Sequence, residues 1–154
     1  MIRDADPTDA DLIAEEFWYP LAKEMEAHSP LNELTDDALA VAKAGFADLL
    51  TDDERYDFLL EEDGTCKAYL SAECGERPTR VQGRYLALID LYVKEPYRRE
   101  GHATALLEHA ETVAATEDYD FITVEAEWEN TPARRVYEAR GYTNKQVEYT
   151  KRVD

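Results

Sequence analysis

Residues 85–107 read YLALIDLYVKEPYRREGHATALL, and the passage changes character twice. Tyr85 to Val93 is an almost unbroken apolar run, as expected of a strand covered on both faces. Lys94 to Glu100 is charged and carries a proline. From Gly101 the chain becomes small and then apolar, with Ala103, Leu106, Leu107, Ala110, Val113 and Ala114 recurring at helical spacing. A buried strand, a cationic turn and a helix opening near a glycine aim several unpaired N–H groups and a positive dipole end at one place. Gly101 lets the backbone approach a ligand closely, Ala103 keeps the next turn small, and Arg98 can add a charge. The turn is therefore a candidate anion cradle. A purely structural turn would use the same residues.

Toward the C-terminus, DYDFITVEAEW (residues 118–128) reads as a strand and TPARRVYEARG (131–141) as a helix. Pro132 sits in that helix's first turn and Gly141 at its stop. YTNKQVEYTKR (142–152) reads as a final strand. Toward the N-terminus, RYDFLLEED and CKAYLSAEC flank Gly64-Thr65 as a hairpin, and ECGERPTRVQG is a polar loop. Leu39, Ala42, Phe46, Leu49 and Leu50 predict a helix beginning near Thr35, preceded by the loop AHSPLNEL. An earlier helix carries Leu12, Ile13, Phe17 and Leu21, with Thr8 as its expected N-cap and Asp11 at the capping-box position. Pro20 should break or kink it. Ile2 to Ala5 reads as a short first strand. The order β-α-α-β-β-β-α-β-α-β describes a mixed α/β domain, a mostly antiparallel sheet flanked by about four helices.

At 154 residues and 44% hydrophobic content, the chain can bury one proper core, so a single domain over residues 1–154 is expected. It carries 35 acidic and 17 basic residues, a formal net charge of -18. Such a surface repels phosphate backbones and anionic lipid, which argues against nucleic-acid and membrane partners and favours cationic ones. Many carboxylates with few lysines also match the acidic proteome of salt-accumulating halophiles, where salt screens self-repulsion. No basic segment precedes an apolar one at the N-terminus and no apolar run approaches membrane length, so a cytoplasmic location is expected. Cys66 and Cys74 fall on one predicted strand roughly 26 Å apart, too far to pair with each other. Neither has the neighbouring ligands of a zinc site, so both read as structural and no metal is expected.

LYVKEPYRREGHATALL resembles the pyrophosphate-binding segment of the GNAT family of N-acetyltransferases. That pattern, Arg or Gln, two residues, Gly, one residue, then Gly or Ala, falls on Arg98, Gly101 and Ala103. ENTPARRVYEARGY follows at the family's spacing and is similar to its later segment, through Asn130, Ala133, Tyr137, Gly141 and Tyr142. The likeness is close from about Leu86 to Tyr142 and extends by element order to the N-terminal half, where IRDADPTDADLI is similar to the usual opening.

The resemblance implies acetyl-CoA as cosubstrate. Backbone amides over Arg99, Glu100, Gly101, His102, Ala103 and Thr104, with Arg98, would hold its pyrophosphate, and the edge of Leu91, Tyr92 and Val93 would pair with the pantetheine arm. Asn130 and Ala133 would lie near that arm. Tyr137 matches the position that protonates the departing thiolate, a role that suits a phenol. The attacking alkylammonium must also lose a proton. Similar members write LEDLYV, with a glutamate that assists; here LIDLYV places Ile89 at that position. Strand alternation predicts that the next residue, Asp90, points away from the Ile89 side. On the following strand, Thr123, Glu125 and Glu127 share a face, with the carboxylates about 7 Å apart, so Glu125 and Glu127 become the candidate proton relay or ammonium anchors. A solvated acidic face explains the same pattern.

His28 reads as a loop residue, His102 as outward-facing and His109 as lying off its helix's apolar stripe. Trp18 and Tyr19 could line an acceptor pocket or belong to the core. Two functions fit the residues: direct acetyl transfer to a primary amine, or acyl-CoA binding without catalysis, the latter motivated by Ile89. The acceptor is expected to be a small molecule or a peptide. Partial likeness to polyamine-type members suggests a small cationic amine, while NTPARRVYEARGY equally resembles members that act on protein N-termini. A homodimer is plausible from family habit alone.

Overall fold

The computed structural model describes residues 1–154 and contains one five-stranded sheet in the order β1-β2-β3-β4-β5. β1 is Ile2–Asp4, β2 Arg55–Glu62, β3 Thr65–Glu76, β4 Arg84–Val93 and β5 Phe121–Val124. The first four run antiparallel, and β4 pairs with β5 in parallel. β2 and β3 are joined at Asp63 and Gly64, both left-handed with φ of 53° and 77°. The hairpin turn is therefore Asp-Gly, one residue earlier than the expected Gly-Thr, because two positive φ values match the twist of flanking strands.

Alternation along β2 and β3 sorts two apolar cores onto opposite faces. Phe58, Leu60, Ala68, Leu70, Leu86 and Leu88 pack against Leu106, Leu107, Ala110 and Ala114 of helix α4 (His102–Thr116). Leu59, Cys66, Tyr69 and Tyr92 face the other way, toward Ile13, Phe17 and Phe46. Those last side chains come from α1 (Ala10–Ile13), the turn that follows it, and α3 (Ala38–Leu49). Fully burying one Leu or Phe side chain contributes roughly 1.5–3 kcal/mol, so the two clusters outweigh any single surface ion pair.

The first helix starts earlier than Thr8. Asp6 caps a 3-10 turn at Pro7–Asp9, accepting from the Thr8 N–H, while Asp9 returns a bond to the Asp6 N–H. Asp9 also holds Arg3 at 2.8 Å. Pro20 does not break the rod. Between α1 and α2 (Tyr19–Met25) the chain forms a π-turn over Ala14–Trp18, in which the Tyr19 N–H reaches Ala14. The wider turn absorbs the hydrogen bond that proline cannot donate.

Two expected strands are corrected. β5 stops at Val124, so Glu125 to Trp128 lie outside the ladder. The expected final strand, residues 142–152, is not formed, and residues 143–154 form neither helix nor strand. An alternating pattern specifies which faces a strand would present but not which edge would receive it. Helix α5 (Thr131–Ala139) matches its expected bounds and ends before Gly141, whose φ is 91°.

Candidate active site

β4 divides at Ile89. Up to Leu88 it has a strand on each side, whereas beyond that residue only β3 continues, as far as Ala68 opposite Val93. The parallel ladder with β5 ends at Leu88 opposite Val124, and the two strands part there. A cavity of about 380 Å³ occupies the opening. One wall is apolar, with Trp18, Leu21, Ala22 and Met25 from the first helical rod. That rod is fastened to the far end of β4 by ion pairs from Lys94 to Glu16 and from Arg98 to Glu24. Of the two alternatives for Trp18 and Tyr19, pocket wall or core, Trp18 meets both, lining the cavity and packing against the helical core, while Tyr19 does not line the cavity.

The register shows why the divide falls where it does. Ser71 pairs with Asp90 and Ala72 with Leu88, leaving Ile89 as the extra residue of a bulge. A bulge suspends the two-residue alternation. Leu86 and Leu88 face α4, and after the bulge Leu91 and Val93 take that face while Tyr92 turns into the opposite core. Ile89 and Asp90 consequently both line the cavity, which corrects the expectation that Asp90 points away. Its Oδ2 accepts from the Ser71 hydroxyl at 3.4 Å, and its own N–H donates to that hydroxyl at 3.2 Å. Oδ1 has no partner in the chain and is not sealed from solvent. Burial pushes the Asp90 carboxyl above the usual carboxylate range, with Arg55 and the Ser71 hydroxyl opposing and Asp57 and Glu73 reinforcing the rise.

Below Asp90 lies a buried polar cluster. Arg55 forms a two-bond pair with Asp57 and reaches Glu73 at 2.9 Å, and Tyr69 donates to Asp57. Arg55 and Asp57 are 3% and 5% exposed, so each needs the other.

Glu125, Ala126 and Glu127 also line the cavity, though irregular backbone rather than strand alternation puts them there. Glu127 accepts from the Asn32 amide at 2.9 Å, whose other donated bond ties Met25. Glu125 is exposed. Asn130 caps α5 by accepting from the Ala133 N–H at 3.3 Å, and both residues border the same space. Tyr137 enters from α5 and packs against Tyr142 with ring centroids 5.9 Å apart. Burial raises the Tyr137 phenol above its ordinary range, which keeps it protonated at neutral pH.

The turn before α4 has the geometry of an anion cradle. Arg99 and Gly101 are both left-handed, with φ of 67° and 84°. No hydrogen bond within the chain uses the N–H of Arg99, Glu100, Gly101, His102, Ala103 or Thr104. Three side chains, two at the turn and His109 further along α4, depart from expectation. The Arg98 guanidinium donates to the Val93 carbonyl at 2.9 Å and to Glu24 at 2.8 Å, and stacks over Tyr92, so it fastens the turn. His102 is buried, with Nε2 3.6 Å from both Glu62 and Glu100, because the first turn of α4 presses onto the β2–β3 end. His109 is half-buried against Phe58, with ring centroids 4.5 Å apart.

The structure thus gathers Leu91, Glu125, Glu127, Asn130, Ala133 and Tyr137 at one cavity, while Tyr92 and Val93 do not line it. Asp90, Asn32 and Ser71 are the functional candidates that sequence reasoning passed over. A serine in the middle of an apolar strand, Ser71 in CKAYLSAEC, was the available signal. No group of three or more His, Cys, Asp or Glu side chains could hold a metal ion, and no helix is long and apolar enough to cross a membrane.

The model of the acetyltransferase (GNAT) family matches residues 15–142. No curated protein matches significantly. Among solved structures, a possible acetyltransferase from Clostridium difficile 630 is 26% identical, with a TM-score of 0.81 over 100% of this chain and 97% of that one. A predicted acetyltransferase with acetyl-CoA from Clostridium acetobutylicum is 20% identical, with a TM-score of 0.78 over 97% and 95% of the two chains. A ribosomal-protein-alanine N-acetyltransferase from Brucella melitensis biovar Abortus 2308 is 20% identical, with a TM-score of 0.72 over 99% of each chain.

Proposed function

The chain belongs to the GNAT acetyltransferase family, and from that premise we propose that it transfers acetyl from acetyl-CoA directly to a primary amine held as an ammonium ion. The observation that carries this reading is the meeting of two features along β4. A turn with six unused N–H groups lies at one end of the strand, and a cavity bearing Tyr137 and several carboxylates opens from its middle.

The amides of Arg99 to Thr104 fit a pyrophosphate, because they are unused, preorganised by two left-handed residues and placed at a helix N-terminus. The edge of β4 that faces away from β3 over Leu91 to Val93 lacks a strand partner and suits an extended amide-bearing arm. Acetyl-CoA supplies the thioester: a C–N bond forms, the C–S bond breaks, the sulfur gains one proton and the ammonium nitrogen loses two. Tyr137 is the donor to sulfur, since its phenol stays protonated and its hydroxyl has no competing partner in the chain. Glu125 and Glu127 attract the ammonium, and Asn32 holds Glu127 in place. The apolar wall of Trp18, Leu21 and Met25 accommodates the acceptor's carbon skeleton, favouring a small cationic amine.

The test is acetyl-CoA binding by calorimetry in molar KCl, followed by CoA release with a panel of small amines and an alanine-terminated peptide. Acetyl-CoA binding with amine-dependent CoA release is expected. Binding without release for any amine would mean an acyl-CoA sensor, the reading that Ile89 at the usual glutamate position favours. Absence of binding in folded protein would overturn both.

A further inference from the structure

Resting on the transferase reading, we infer that Asp90 is the catalytic residue that takes the proton from the acceptor ammonium, in place of the glutamate that Ile89 displaces. A bulge, and not a substitution at the same position, puts a carboxylate in reach. With Ile89 unpaired, the following residue rotates into the cavity wall. Ile89 remains 49% exposed beside it and carries no group able to accept a proton.

Among the carboxylates that line the cavity, Asp90 alone combines three properties. It is held by a fully buried partner, because Ser71 has no exposed surface and its hydroxyl bonds only with Asp90. It keeps one oxygen unused and open. It also lies on β4, the strand whose free edge is assigned to the acyl arm. Glu127 already accepts from Asn32, and Glu125 is solvated on irregular backbone. Both suit attraction of a cation better than a directed proton transfer.

The step is simple in atoms. The ammonium N–H proton moves to Asp90 Oδ1, leaving a neutral amine whose lone pair can attack, and Asp90 later returns the proton to solvent. The titratable and charged groups around it are Arg55 and Asp57 from β2, Tyr69 and Glu73 from β3 and, across the cavity, Glu125 and Glu127 after β5 and Tyr137 from α5; of these Arg55, Asp57 and Glu73, together with the Ser71 hydroxyl, shift its carboxyl. The helical wall facing Asp90 contributes only uncharged side chains. A raised carboxyl is a better matched proton acceptor near neutral pH than an ordinary one.

The experiment compares parent, Asp90→Asn and Asp90→Glu with two acceptors of the same carbon skeleton. One is an alkylamine, protonated at neutral pH, and the other an alkoxyamine, which is already neutral. Acetyl-CoA affinity, measured first, should agree within about twofold across the variants, since the turn is untouched. With the alkylamine, Asp90→Asn should lose about 100-fold or more in kcat and its acidic limb in the pH profile, with partial recovery in Asp90→Glu. With the alkoxyamine, the loss should stay below about tenfold, because no proton need be removed before attack. Equal losses with both acceptors, or an acidic limb retained in Asp90→Asn, would overturn the assignment. If Glu125→Gln or Glu127→Gln instead removed the limb, the proton acceptor would lie after β5. Parent protein that binds acetyl-CoA but turns over neither acceptor would defeat the transferase reading itself, a separate outcome.

Discussion

The turn before α4 and the cavity beside β4 are both proposed to meet charged groups, yet they are built in opposite ways. In the turn the free groups are backbone N–H donors, and its side chains are engaged within the chain: Arg98 is paired with Glu24 and His102 is buried. In the cavity the candidate groups are side chains, Asp90, Glu125, Glu127 and Tyr137, and the backbone matters because a bulge and a strand end place them. The difference says where each region is vulnerable. The turn should resist side-chain truncation but not a change of backbone conformation or local charge. The cavity should respond to the loss of single functional groups.

The largest effect should come from Gly101→Glu. It puts a side chain at a φ of 84° and a negative charge beside the unused amides. Open space surrounds the added Cβ, so the damage is conformational and electrostatic and not a clash. Calorimetry should show acetyl-CoA affinity weakened about 100-fold or more, equivalent to roughly 2.7 kcal/mol. A change below tenfold would mean that the backbone does not dominate the turn.

Tyr137→Phe comes next, on the cavity side. It should reduce kcat by about 10- to 100-fold, and acetyl-CoA affinity should be nearly unchanged. The variant removes the hydroxyl proposed as proton donor, while the ring that packs against Tyr142 remains. A loss confined to KM would make this tyrosine a wall residue only.

Arg98→Ala gives the sharpest contrast. Because its guanidinium already binds Glu24 and the Val93 carbonyl, its removal should weaken acetyl-CoA by less than about tenfold. A loss as large as that of Gly101→Glu would show that Arg98 leaves Glu24 for the ligand.

The smallest effect is on stability. The folded Asp90 carboxyl lies above its unfolded value, so its contribution is fully present below the unfolded pKa and lost as pH rises through the folded one. Asp90→Asn removes that loss. Its melting temperature in molar KCl should exceed the parent's by a few degrees at neutral pH, with the difference shrinking at acidic pH. A lower melting temperature at neutral pH would mean that the bonds to Ser71 outweigh the cost of burying the charge.

How far each region could be read from residues follows from the same contrast. The turn was legible because a glycine, a small residue and a helical stripe are local signals. Their consequence, a left-handed step into a helix, is enforced by nearby atoms. Tyr137 and Asn130 were named through the resemblance of ENTPARRVYEARGY to a family segment, and the structure puts one on α5 and the other at its cap. Asp90 was misread because alternation assumes an uninterrupted ladder, and the bulge at Ile89 exists only in the pairing of β4 with β3. His102 was misread for a related reason: its helical position says which way it points, not that the hairpin end with Glu62 comes to meet it.

The chain's own order of residues was enough to set the order of strands and helices as far as α5 and the glycine turn that opens α4, since each depends on periodicity or backbone freedom over a few neighbouring residues. Tertiary structure decided where the parallel ladder ends, which residue bulges, that Pro20 is absorbed in a π-turn, and that residues 142–152 take no place in the sheet. Those outcomes depend on partners distant in sequence, so local periodicity carries no record of them. The cavity is their joint product.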